Sequence, residues 1–483
     1  MNLAYKEDLD VASIKNSDID SVGTITRSEY IENEFEMKGN LVDYINTYLN
    51  AINMKDIALL KSVHDELYSY INQKKDSGKV FKNIIEDETK FTVNFVDFFN
   101  IIDELSTQYP DSIEYTVFFL NLILVNSPKL LEELFCSNVI GFMKHLMDIS
   151  KGSQHMIFRF LGNMLNIYSS SHKDIKTMFL NFDTVSACGA ILLAPQNSDQ
   201  ILSVLHFYNN IVQCFCASKK QLMSYIFQQA ISFLNSENPE FIWRISNIIK
   251  INFIQESVNP AIIQIMEEFN VLLTLKHIFK YSSDNKSIAS IVEVLVVLLP
   301  QGYIDSFKEE IEEEIMERLN KYELEQKILL VYYSFLTVNY NTMSEQDFLH
   351  RYSSVYIDHM NFYVDKFISS KIDFKLTICK VILTFVSKFN QDMLSTFETP
   401  EFFGILMEML DQEDTVKADV LNVISRFFEF AQLDPQKDLM KLIDDPEDFE
   451  ESVRELAHND DDIIASSAKL LETLLDQIYN SNE

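Results

Sequence analysis

Trp243-Arg244-Ile245-Ser246-Asn247 lies inside an apolar stretch with helical spacing, and three upstream segments share its shape. They are Val117-Phe118-Phe119-Leu120-Asn121, Arg159-Phe160-Leu161-Gly162-Asn163 and His206-Phe207-Tyr208-Asn209-Asn210. Each is a mostly apolar helical segment that ends in asparagine and runs on into two more apolar residues. The asparagines stand at 121, 163, 210 and 247, so they recur at 42, 47 and 37 residues. A period near forty without strand signals predicts stacked helical repeats. Asparagine is a poor helix former. Four at matching places in hydrophobic helices therefore call for a reason. One is a row of amides that contacts a ligand; the other is structural asparagines whose amides are already satisfied.

Composition points the same way. The chain has 483 residues, 47% of them hydrophobic, with only nine Gly and nine Pro. Those two types stand at roughly 2% each against a usual 7% and 5%. Sheet turns and phosphate-cradling glycine loops both need more, so the fold class is all-α. From about residue 41, apolar residues recur every three or four positions. Helices are expected over 54–70, 91–105 and 112–124, and the long inner helices continue past Asn247 at 287–299, 326–338, 376–389 and 416–430. Glu293, Ser334, Thr384 and Arg426 then occupy the matching positions, at gaps of 46, 41, 50 and 42. A terminal helix over 463–478, behind Asp460-Asp461-Asp462, suits a cap that faces water. The expected organisation is an acidic, disordered leader over 1–40, a solenoid of about nine to ten repeats over 41–478, and a short polar tail over 479–483.

Charge and chemistry narrow the function. Seventy-three acids against 40 bases give a net charge of −33. Such a surface repels nucleic acid and anionic membranes and is compatible with basic partners. Glu309-Glu310-Ile311-Glu312-Glu313-Glu314 reads as a solvated helix face. The first twenty residues are acidic, unlike a secretory signal. The longest apolar run, 291–300, contains Glu293 and is too short to span a bilayer. Cys136, Cys188, Cys214, Cys216 and Cys379 sit among apolar residues as core thiols, and Cys214-Phe215-Cys216 lacks a matching metal-ligand pair. No nucleophile-elbow, Walker or dinucleotide motif occurs, so no enzyme, cofactor or metal is expected.

Three-helix repeats of about 42 residues with W-x-x-S-N on the third helix resemble armadillo repeats, and within them importin-α, the adaptor for nuclear localisation signals. Trp243 to Asn247 is similar to that family's repeat signature, Arg159 to Asn163 to its L-G-N variant, and 453–471 to its final repeat. The resemblance implies a right-handed α-α superhelix with third helices lining a groove. It implies that Asn121, Asn163, Asn210 and Asn247 clamp the backbone of an extended, basic peptide, with Trp243 as a platform for lysine. It implies protein import between cytoplasm and nucleus. An amide offers both a donor and an acceptor, and an indole face attracts an ammonium. The departures are Val117, Arg159 and His206 where the family places Trp, and no acid at Phe135 or Cys136 to receive a lysine. The basic leader that recruits importin-β is also missing, which speaks against that partner. The alternative is an armadillo interaction scaffold that has lost signal recognition.

Overall fold

The computed structural model describes residues 38–73, 93–126, 133–134, 137–168, 182–195, 197–215, 219–254, 258–321, 324–370, 372–410, 414–431 and 439–481. The acidic leader, Cys136 and Cys216, and the position expected to receive a lysine lie outside them. Among the described residues there is no strand, as the composition predicts. The chain divides into two compact units, 1–271 and 272–483.

The first unit contains α1 (Lys38–Asn53), α2 (Ile57–Gln73), α3 (Phe95–Gln108), α4 (Ser112–Asn126), α5 (Val139–Ile149) and α6 (Gln154–Tyr168). It continues through α7 (Phe182–Leu193), α8 (Ser198–Phe215), α9 (Lys220–Ile231), α10 (Pro239–Ile254) and α11 (Pro260–Glu268). Side chains start several of these helices. Asn94 accepts from the amides of Val96 and Asp97 ahead of α3, and Asn259 accepts from Ala261 with Pro260 behind it. Both satisfy amides that a helix start leaves without partners.

The long helices pack in series, α4 on α6, α6 on α8 and α8 on α10. In α8 every residue from Ser203 to Val212 is buried. A helix covered on all sides needs apolar residues all round, and between 203 and 212 α8 has them apart from Ser203, His206, Asn209 and Asn210.

The second unit contains α12 (Val271–Tyr281), α13 (Asn285–Leu298), α14 (Lys308–Lys321), α15 (Gln326–Thr342), α16 (Glu345–Tyr352) and α17 (Tyr356–Ser369). It ends with α18 (Ile372–Val386), α19 (Gln391–Ser395), α20 (Pro400–Leu410), α21 (Asp414–Ala431), α22 (Pro446–Leu456) and α23 (Asp462–Ser481). Here α13, α15, α18, α21 and α23 form the serial stack. These are the long helices that the periodicity places after Asn247.

Successive layers are stapled by cations on carbonyls that helix ends leave unpaired. Arg318 of α14 donates to the carbonyls of Phe279 and Lys280 at the end of α12, at 3.2 Å each. Lys366 of α17 donates to Leu319 O at 2.9 Å. Arg426 of α21 donates to the carbonyls of Val386, Ser387 and Phe389 behind α18. Sequence alignment places Arg426 at an asparagine position; in the structure it is a staple between layers.

Candidate functional site

Two of the repeated asparagines meet each other in the first unit. Asn163 Nδ2 on α6 donates to Asn121 Oδ1 on α4 at 2.9 Å. His206 Nε2 on α8 lies 2.7 Å from Asn163 Oδ1. Arg244 Nη1 on α10 lies 2.9 Å from His206 Nδ1. One polar file therefore runs through four successive long helices, and all four side chains are buried.

The arginine sets the direction of the whole file. A guanidinium only donates, so His206 Nδ1 accepts and the ring proton sits on Nε2. That N–H needs an acceptor, so Asn163 presents its oxygen and turns its NH2 toward Asn121, which must answer with oxygen. Burial pushes the His206 pKa well down, and the charges of Arg244 and Arg159 add to it. A protonated ring would place N–H against N–H at Arg244, so geometry and electrostatics agree on a neutral imidazole.

Gly162 makes the His206–Asn163 contact reachable. A Cβ there would stand 2.9 Å from His206 Cδ2 and 3.2 Å from Phe207 Cα. Real side chains almost never approach so closely, so the missing Cβ lets α6 and α8 pack in direct backbone proximity.

The sequence-derived site residues are thus placed as follows. Asn121, Asn163 and Asn210 are buried. Asn210 Nδ2 donates back to His206 O at 2.9 Å, a bond within its own helix. Each of these three buried side chains thus makes at least one amide contact inside the unit. Trp243 is only 7% exposed, and the cation over its ring, 4.8 Å from the centroid, is the adjacent Arg244. It packs as core rather than as an open platform. Asn247 alone is half-buried, at the edge of the row. Arg244 carries no signal at sequence level beyond a charge inside an apolar helix, and His206 stands out only as a departure where the resembled family places Trp.

A second buried polar cluster, absent from the sequence reading, lies in the second unit. Glu312 of α14 is 2% exposed, an exception within 309–314, where Glu309, Glu310 and Glu313 are exposed as expected. Tyr352 OH lies 2.6 and 2.7 Å from its two oxygens and shares its one proton between them. Asn339 Nδ2 donates at 2.8 Å and Tyr340 OH at 3.1 Å. Arg351 Nη2 completes the set at 3.0 Å and reaches Glu309 with Nη1 at 2.9 Å. Burial pushes the Glu312 carboxyl pKa up, while Arg351 and the hydrogen bonds pull it back. An ionised carboxylate accepts at both oxygens, so four donor groups from α15 and α16 lock three helices around it.

Elsewhere, Cys188 and Cys379 are buried thiols and Cys214 is half-buried. Burial pushes Cys379 up to about 12. Among the described residues no group of His, Cys, Asp and Glu is arranged to hold a metal ion. No helix among them is long and apolar enough to cross a membrane.

No protein-family model matches the chain, and no curated protein matches it in sequence. Among solved structures it is similar to an engineered protein at 12% identity and a TM-score of 0.53, covering 79% of this chain and 91% of that one. SYS-1 overlays less well, at 14% identity and a TM-score of 0.47, covering 80% of this chain and 70% of that one. The SYS-1/POP-1 complex gives 13% identity and the same TM-score and coverage. At these identities the likeness to the engineered protein concerns the fold, and the weaker SYS-1 overlays support no further argument. What the chain itself establishes is an all-α fold of serially stacked helices with a buried polar file through its first unit.

Proposed function

We propose that this chain is a helical-repeat scaffold that works by holding other proteins rather than by catalysis. The observation that carries this reading is the serial packing of long helices within each unit, pinned in register by buried polar contacts. Such stacks build extended surfaces instead of a single pocket. The buried file of Asn121, Asn163, His206 and Arg244 serves rigidity on this reading, and partners use the exposed faces.

A finer reading is an adaptor that carries lysine-rich nuclear localisation signals and moves between cytoplasm and nucleus. The motif around Asn247 and that residue's partial exposure favour it. The engaged amides of Asn121, Asn163 and Asn210, the covered Trp243 and the cationic Arg159 weigh against it. A fluorescent lysine-rich signal peptide titrated with the full chain separates the two. The scaffold reading expects Asn247→Ala to leave any binding of that peptide unchanged. Saturable binding that falls about tenfold in Asn247→Ala, a loss of about 1.4 kcal/mol, would establish the adaptor. Cross-linking of the full chain in extract should also give protein partners on exposed faces; their absence above a helical control sinks the scaffold.

A further inference from the structure

We propose that the outer face of α17 is a docking site for a basic amphipathic helix of a protein partner. Helix α17 buries Met360, Tyr363 and Phe367 against its own unit. A second apolar stripe lies about a quarter-turn round the helix from these buried residues. Ile357 is 41% and Ile368 61% exposed, and half-buried Val364 lies between them on the same line of the helix. At 3.6 residues per turn, positions 357, 364 and 368 fall within a narrow arc, the seam that another helix packs against. A helix of this length gives the stripe room for roughly three turns of a partner.

The chemistry of the partner follows from what borders the stripe. Asp358 and Asp365, seven residues apart and exposed, run along its open side. Among the described residues no ion pair engages either carboxylate. The nearby cations point elsewhere: Lys366 to a carbonyl, Arg351 to Glu309 and Glu312, and Lys375 to Glu408. An apolar seam with carboxylates on its rim complements a helix with an apolar stripe flanked by Lys or Arg. A second copy of this chain fits poorly, because an isologous pair would bring Asp358 against Asp365 of the other copy. Anionic lipid meets the same repulsion.

The proposal is independent of the buried file in the first unit. Its test is fluorescence anisotropy of the full chain with a labelled synthetic helix of leucine and lysine in amphipathic order, at near-physiological salt. Saturable binding is expected, weakened by about tenfold or more in Ile357→Ser/Ile368→Ser and again in Asp358→Lys/Asp365→Lys. Asn247→Ala should bind like the parent, and circular dichroism should show both double variants folded. Equal binding by a scrambled peptide of the same composition overturns the proposal, since the acidic chain then only collects cations. So does unchanged binding by either folded double variant, or tighter binding of an acidic amphipathic peptide. Sedimentation that shows a dimer split by Ile368→Ser would assign the face to self-association instead.

Discussion

Asn163→Ala is the perturbation that best separates a structural file from a ligand clamp. The substitution removes one donor contact, to Asn121 Oδ1 at 2.9 Å, and one acceptor contact, from His206 Nε2 at 2.7 Å. Both partners are buried, so neither gains water in exchange. An orphaned buried polar group costs about 1–3 kcal/mol, so two orphans cost roughly 2–6 kcal/mol. For a unit of this size each kcal/mol moves Tm by about 2–4 °C, which makes the drop on the order of 10 °C. Half-buried Asn247, changed to Ala, should stay within about 0.5 kcal/mol of the parent. Differential scanning calorimetry of the full chain reads both. A cycle with Asn121→Ala adds a second check: in the Asn163→Ala background it should cost less than in the parent, because the shared bond is already gone. Should Asn163→Ala melt with the parent, the file is not holding the unit together. Should it also abolish peptide binding, the amide faces a ligand and the reasoning fails.

Three further outcomes follow from the same geometry. The depressed pKa of His206 means the native state binds fewer protons than the unfolded chain just below pH 6.5. Its stabilising contribution is present above that value and lost as pH falls through it toward the lower folded pKa. Tm should fall on acidification below 6.5, and less steeply in His206→Gln; burial also depresses His64, His155 and His359, so some slope remains. Glu312→Gln should cost about 1–3 kcal/mol in urea unfolding, since half-buried Arg351 keeps Glu309 but loses its buried carboxylate partner. The raised pKa of Glu312 works in the opposite sense: its contribution is fullest below the unfolded carboxyl pKa and declines as pH rises through the folded one. The Gln variant should lack that decline, and an identical pH profile would refute the assignment. Arg426→Met should speed amide hydrogen exchange over 386–389 and cost about 1–3 kcal/mol, because three carbonyls lose a charged donor.

Helix class and the positions of the long helices were legible in the sequence, because apolar spacing is a local property. A three-to-four-residue recurrence and a scarcity of Gly and Pro leave a chain little else to form. The period near forty likewise announced that these helices repeat, and the structure stacks them in that order. The four asparagines were legible as a set. Their role was not, because one-dimensional spacing cannot say whether an amide points at solvent or at the next repeat.

That was decided by tertiary packing. Gly162 admits His206 to within bonding distance of Asn163, and Arg244, an isolated charge in an apolar helix when seen in sequence, imposes the tautomer and every amide orientation beyond it. The same holds for Glu312. Within 309–314 it looks like its neighbours, yet one helical turn places Glu309 and Glu313 in water while Glu312 meets Asn339, Tyr340, Arg351 and Tyr352. Sequence alone determined which segments coil and how often, since those follow from local apolar periodicity. Which polar groups are spent inside the fold, and which are left to meet a partner, depended on contacts between residues about 27 to 43 positions apart, which only the folded chain brings together.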